Sequence, residues 1–354
     1  MAIKEILGTD DLPIAARWPT LNLLCKGVMP SINQGLTSAN HGAIANNGRN
    51  WIKVTGNANP GLTTTLSTMK FSQAEMRGKK IWIGFRHQIG SNAAVMAAIP
   101  LLSIVSSGTQ TLTFNPVLES DLQRATDEVF IECLIDLVAQ KIDGYIDGNL
   151  VRSVSTSALT PANVTDMRIN YGMTSSAVGS EIHMYTDFYW LVDSSDVDQL
   201  PSNRLGPIKV KSAKVAGSVL PSDWTVPDGQ TADGILDAAT MAPTTELTPV
   251  VRTSPAESVA SIGFAKPAAE LSIKAVSIEV FGYRDTGTAP ALQAQLKQGA
   301  KTDTKKTFTT PTLDYNRGAA SDRLGCFNVD LNGAAWNNDS IDSLEVLINS
   351  KTGA

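Results

Sequence analysis

Residues 135–155 read IDLVAQKIDGYIDGNLVRSVS, two short extended runs around a polar turn. Asp147-Gly148 lies between Ile146 and Leu150, and Asp-Gly is the dipeptide that a two-residue hairpin selects, because both of its central residues need positive φ. The stretch predicts a β-hairpin and, with it, an all-β fold. Just upstream, Val129, Ile131, Cys133, Ile135 and Leu137 share one face of an extended run, while Glu128, Phe130, Glu132, Leu134 and Asp136 share the other. Alternation of this kind marks one core face and one mixed face.

Working outward, strand-like runs recur at 51–54, 80–85, 101–105, 111–114, 150–154 and 167–171, with Gly, Asn, Ser or Thr between them. Short strands at this spacing are the pattern of a β-sandwich. Residues 192–207, VDSSDVDQLPSNRLGP, break the periodicity with acids, serines and two prolines, as a chain does when it leaves one domain. The expected division is a first sandwich at 1–199 and a second, smaller β-sandwich at 200–354, together jelly-roll-like. In the second, strands are expected at 208–215, 258–264, 271–283, 292–297, 307–309, 326–331 and 344–348, after a loop-rich start at 220–260. Helical candidates are short, near 72–76 and 232–239.

The 354 residues exceed one core of usual size, which agrees with two domains. Only 18% are charged, and small polar residues fill the gap, as suits a turn-rich β surface. A net charge of −5, with no basic cluster interleaved with aromatics, argues against nucleic acid as a partner. Cys25, Cys133 and Cys326 form no CxxC pattern, so neither a disulfide framework nor a thiolate metal site is signalled. The N-terminal stretch has no basic region followed by an apolar one, and no run approaches the ~18 apolar residues of a membrane helix; no membrane association is expected.

The segment from Phe130 to Ser155, the run Arg168-Ile-Asn-Tyr-Gly172 and the aromatic strand ending at Asp193 resemble the end of a concanavalin/laminin-G-like sandwich. The join that follows, with Leu205-Gly206 and then Trp224, resembles bacteriophage virion structural proteins that couple such a domain to a second β domain. Pro207 stands where those proteins carry an acidic residue. The resemblance implies a non-enzymatic virion component, in capsid decoration or in the tail or a fibre. Such a protein is made in the bacterial host cytoplasm and assembles with copies of itself, as a trimer before a dimer, and with other virion proteins.

The residues also offer two other functions, a lectin-like module and a glycan hydrolase. In 181–191, Ile182, Met184, Phe188 and Trp190 alternate with Glu181, His183, Tyr185, Asp187 and Tyr189. The second set joins acids to aromatic rings, which can hydrogen-bond sugar hydroxyls and stack on their apolar sides. These five are the candidate ligand- or subunit-facing surface, and host surface glycans are the candidate ligand of a lectin-like module. Glu128-x-Phe130-x-Glu132 has the alternating spacing of a retaining glycan hydrolase, but Phe holds the middle position where an Asp is wanted. Asp193, Asp196 and Asp198 lack the Gly and terminal Glu of a calcium loop, and His41, His87 and His183 have no partner spacing. No catalytic residue, metal or cofactor is expected, and the six tryptophans are expected mostly in cores.

Overall fold

A computed structural model of the chain describes residues 2–7, 41–46, 49–55, 63–70, 76–89, 98–106, 109–114, 128–155, 157, 166–173, 182–194, 204–211, 213–236, 251–252, 258–281, 291–309 and 321–351. The chain divides into two compact units, the first running to Val210 and the second resuming at Lys211. Almost all regular structure is antiparallel strand, so the expected all-β sandwich class is the one observed.

The first unit contains β1 (Ala2–Leu7), β2 (His41–Asn46), β3 (Arg49–Thr55), β4 (Thr63–Lys70), β5 (Met76–Ile89), β6 (Ala98–Ser106), β7 (Thr109–Phe114), β8 (Val129–Asp136), β9 (Lys141–Ile146), β10 (Asn149–Ser155), β11 (Asp166–Met173) and β12 (Ile182–Ser194). They form an eight-stranded sheet in the order β10-β9-β8-β5-β12-β3-β2, with β1 added to β12, and a four-stranded sheet in the order β4-β11-β6-β7. The hairpin expected from the sequence joins β9 to β10. Asp147 and Gly148 adopt φ of 46° and 86°, the doubly positive geometry for which Asp-Gly is suited. Asp147 also ties the hairpin tip to the start of β8: its carboxylate accepts from Phe130 N at 2.9 Å, and its own N–H donates to Phe130 O at 2.9 Å.

One face of the eight-stranded sheet is apolar. Ile81, Ile83 and Phe85 of β5 pair with Ile135, Cys133 and Ile131 of β8, and all six are buried. Burial pushes the Cys133 thiol up, so it behaves as a small inert hydrophobe. The opposite face carries Trp82, Gly84 and Arg86 of β5, paired with Leu134, Glu132 and Phe130. β8 ends at Asp136, whose carboxylate accepts from Val138 N and Ala139 N, so 137–140 form a turn where the sequence pattern extended the strand to 138.

The second unit holds β13 (Trp224–Thr225), α1 (Ala232–Leu236), β14 (Val251–Arg252), β15 (Ser258–Gly263), β16 (Val276–Phe281), β17 (Ala291–Gln298), β18 (Lys301–Thr302), β19 (Lys306–Thr309), β20 (Ser321–Phe327), α2 (Asn338–Asp342) and β21 (Leu344–Lys351). β15, β21, β17 and β18 form one sheet, with β19 added to β17, and β16 pairs with β20. The core gathers Ile262, Ile278, Leu296, Trp336, Ile341, Leu344 and Val346. α2 is fixed by a reciprocal cap, Asn337 Oδ1 accepting from Ser340 N while Ser340 Oγ accepts from Asn337 N. Over its described residues the segment expected as a strand at 208–215 is irregular, with an isolated bridge at Val215. The short helix near 232 forms as α1, whereas most of the candidate at 72–76 falls outside the described residues. Trp51, Trp82, Trp190 and Trp336 are buried as expected, and Trp18 lies outside the described residues.

Gly84, in the middle of β5, has no room for a side chain. A Cβ there would sit 2.0 Å from Tyr189 Cε1, because the Tyr189 ring lies across it from the neighbouring strand. Gly84→Ala is expected to destabilise the fold by about 1–3 kcal/mol through overpacking, measured by urea denaturation. An unchanged midpoint would show that Tyr189 is not seated there.

Candidate functional site

The mixed face of the eight-stranded sheet is where the sequence concentrates its acids, and strand register decides which of them meet. On β8, Phe130 and Glu132 point the same way, and Glu128, just before the strand, reaches Arg86 beside Phe130. Across the ladders, Arg86 of β5 opposes Phe130, Gly84 opposes Glu132, and Tyr145 of β9 opposes Glu132 from the other side. β12 completes the set with a β-bulge: Thr186 pairs with Arg86 and Tyr189 with Gly84, leaving Asp187 and Phe188 together opposite Phe85. Asp187 takes φ of 54°, a left-handed conformation that Asp tolerates better than most residues. The extra residue turns Phe188 inward, where its ring stacks on Phe85 at 5.9 Å, and leaves Asp187 on the mixed face beside Arg86.

There Asp187 is fully buried and fully paired. Its Oδ2 accepts from Arg49 Nη1 at 2.7 Å and Arg86 Nε at 2.8 Å, and its Oδ1 accepts from Val210 N at 2.8 Å. Arg86 also donates from Nη1 to Glu128 Oε1 at 2.5 Å and from Nη2 to Ile208 O at 2.7 Å, and its guanidinium lies 5.2 Å above the Phe130 ring. Arg49 Nη2 approaches Glu128 Oε1 at 3.7 Å. Two guanidiniums are thus balanced by two carboxylates.

Glu132 forms a second centre. Its Oε1 accepts from the Tyr189 hydroxyl at 2.5 Å and from Gly206 N at 3.0 Å. Its Oε2 has no hydrogen-bond partner; Arg204 Nε lies 3.7 Å away. Burial raises the Glu132 carboxyl above its ordinary range, opposed by the Tyr189 and Gly206 hydrogen bonds and by Arg204. Burial, and then the adjacent Glu132 charge, push the Tyr189 hydroxyl up. The Tyr189 ring stacks on Phe130 at 6.2 Å, and Arg204 sits 4.8 Å over the Tyr145 ring, which in turn meets Trp82 at 5.5 Å.

Both centres are closed by one segment, 204–210, here called the strap. It crosses the mixed face and is held by side chains of the sheet. Gly206 and Val210 donate to carboxylates, Leu205 N donates to Tyr189 Oη at 3.4 Å, and Ile208 O accepts from Arg86. This is why the first unit runs past Leu200, and why 208–210 do not form the expected strand.

Of the five residues expected to face a ligand or another subunit, the three whose side chains are described, Tyr185, Asp187 and Tyr189, are buried. Tyr185 lies on the apolar side, its ring 5.0 Å from His87 and 6.1 Å from Phe85, because the bulge shifts the alternation between it and Tyr189. Asp187 and Tyr189 lie on the mixed face, but buried against the strap. Tyr185, Asp187 and Tyr189 are each 0% exposed. Glu181 lies outside the described residues, as does the side chain of His183, and with them Asp196 and Asp198. Of the two glutamates weighed for hydrolysis, Glu128 is ion-paired with Arg86 and Glu132 is sealed beneath Gly206. Among the described residues no group of three or more His, Cys, Asp or Glu side chains is placed to hold a metal ion, and no helix is long and apolar enough to cross a membrane.

Sequence reasoning missed Arg49, Arg86, Arg204 and the strap. The readable signal was an arginine closing the otherwise apolar run IWIGFR, next but one to a glycine that marks close approach. Removing the charge of Asp187 with Asp187→Asn is expected to cost about 3–5 kcal/mol, since two guanidiniums lose their shared partner. Lys80→Ala, which breaks only the exposed pair with Asp136 at 3.4 Å, is expected to cost less than about 1 kcal/mol. Urea denaturation of the two variants checks the ranking, and equal losses would contradict it.

No protein-family model and no curated protein matches the chain. Among solved structures it is similar to a sialidase at 10% identity and a TM-score of 0.29, covering 44% of this chain and 16% of that one. It is similar to arcelin-5, a lectin-like defense protein from Phaseolus vulgaris, at 8% identity and a TM-score of 0.30, covering 42% and 89%. A third likeness is to the CBM2 module of the evolved Dit of Lactobacillus casei BL23 phage J-1, at 10% identity and a TM-score of 0.29, covering 42% and 77%. The chain spans less than half the length of the sialidase and of the Paraclostridial mosquitocidal binding domain that it also matches. At these scores the likenesses carry no argument about function.

Proposed function

We propose that the chain is a non-enzymatic structural protein of a bacteriophage particle, working through contacts with copies of itself and with other virion proteins. One observation carries this reading. The acids and rings that a ligand site or a hydrolase would need on the mixed face, Glu128, Glu132, Asp187 and Tyr189, are taken up in ion pairs and in holding the strap. The virion assignment, and the trimer favoured with it, rest on the resemblance of the Leu205-Gly206 junction and the sandwich before it.

A contact surface for such a role is offered by the second unit. Val219 and Ser261 pair through reciprocal backbone hydrogen bonds at 2.8 and 3.0 Å, and Val259 lies two residues along on the same face. Val219 is 67% exposed and Val259 46%. The charges nearby, Lys297 and Glu345, neutralise each other at 2.7 Å. Apolar side chains beside a neutralised pair suit packing against another protein surface.

Mass photometry and sedimentation at micromolar concentration are expected to show a homo-oligomer. Val219→Lys with Val259→Lys should shift it toward monomer while leaving the unfolding free energy within about 1 kcal/mol, as surface substitutions usually do. A wild-type monomer that fails to join particles would contradict the proposal. Specific binding on a glycan array would favour the lectin-like alternative, and sugar release abolished by Glu132→Gln would establish the hydrolase.

A further inference from the structure

The two carboxylates that hold the strap are compensated very differently. Asp187 has two guanidiniums within 2.8 Å and a backbone N–H at 2.8 Å. Glu132 is equally buried, yet one of its oxygens has no hydrogen-bond partner and its cation, Arg204, stands off at 3.7 Å. The other groups facing it do not make up the deficit. Gly84 of β5 brings no charge, and Arg86, two residues along, is turned to Asp187 and Glu128. From β12 comes the neutral hydroxyl of Tyr189, and from β9 the Tyr145 ring, over which Arg204 lies. From the hairpin comes Asp147, whose negative charge adds to the strain on an ionised Glu132.

We propose that the strap is an asymmetric, proton-responsive latch: protonation of Glu132 tightens its 204–206 end, while the 208–210 end, held by the Asp187 ion pairs, is not coupled to that proton. The direction follows from linkage. With the strap closed, Glu132 is desolvated and its carboxyl is raised; with the strap lifted, it is solvated and ordinary. The closed state therefore binds the proton more tightly, so acidification favours closure. The stabilising contribution is complete below the ordinary glutamate value of about 4.3 and is lost as pH rises through the raised value of the buried group. As pH rises through that raised value the 204–206 end therefore loosens, although both ends lie on the same sheet face.

Amide hydrogen exchange on the full chain, corrected for the intrinsic pH dependence of exchange, reads the two ends separately. Protection at Leu205 and Gly206 is expected to fall by about threefold or more between pH 5 and pH 8, while protection at Val210 stays level. Glu132→Gln should flatten the Gly206 profile and leave Val210 unchanged. Parallel profiles at Gly206 and Val210 in the wild-type chain would overturn the proposal, as would a Gly206 profile that persists in Glu132→Gln. Should that variant fail to fold, the Glu132 carboxyl can be titrated in the wild-type protein by carbon NMR. A midpoint above the ordinary glutamate value supports the latch, and one at or below it overturns it.

Discussion

The arrangement of the first unit depends on a single buried charge placed by a single extra residue. Strict alternation along β12 would put Asp187 on the same side as Tyr185, against the apolar rings of β5. The bulge instead moves it to the opposite face, where Arg49 and Arg86 meet it. An unpaired carboxylate in such a place would cost several kcal/mol, and the pair of guanidiniums removes that cost only because Glu128 balances the second positive charge. The left-handed backbone at Asp187, the arginine within an apolar strand and the acid at the mouth of β8 are parts of one electrostatic solution.

That solution also determines where the first unit ends. Backbone N–H groups at Gly206 and Val210 need acceptors once the chain has left the sheet ladder. Glu132 and Asp187 supply them, so 204–210 lie down as a strap and do not pair as a strand. Tyr189 links the two centres, its hydroxyl on Glu132 and its ring flat over Gly84 and Phe130. A face rich in acids and rings thereby becomes an internal joint. The same composition on an open sheet would suggest a sugar site.

Much of the fold was legible because its signals are local. Asp147-Gly148 specifies a hairpin through backbone conformation alone, and the alternation around Cys133 marks the core face and the mixed face of β8. Asn337 and Ser340 likewise announce the capped start of α2, although that helix was overlooked. What sequence periodicity cannot show is a change of phase: one bulged residue at Asp187 separates Tyr185 from Tyr189, and every face assignment made across it fails. The partners of Asp187 are equally hidden, because Arg49 and Arg86 lie 138 and 101 residues away along the chain and only the β3-β12-β5 pairing brings them together. At 208–211 apolar and basic residues alternate as in a strand, while the backbone bonds of Ile208 and Val210 go to side chains, which leave no periodic trace.

The central role of the Asp187 ion pairs is tested most directly by a double-mutant cycle on Arg86 and Asp187, using Arg86→Met, Asp187→Asn and the double variant in urea denaturation. Residues joined in a buried charge network are expected to show a coupling energy of about 1.5–3 kcal/mol, so that the double variant loses well under the sum of the single losses. Additive losses, within about 0.5 kcal/mol, would mean that the two side chains act separately and that the strap is held by something else.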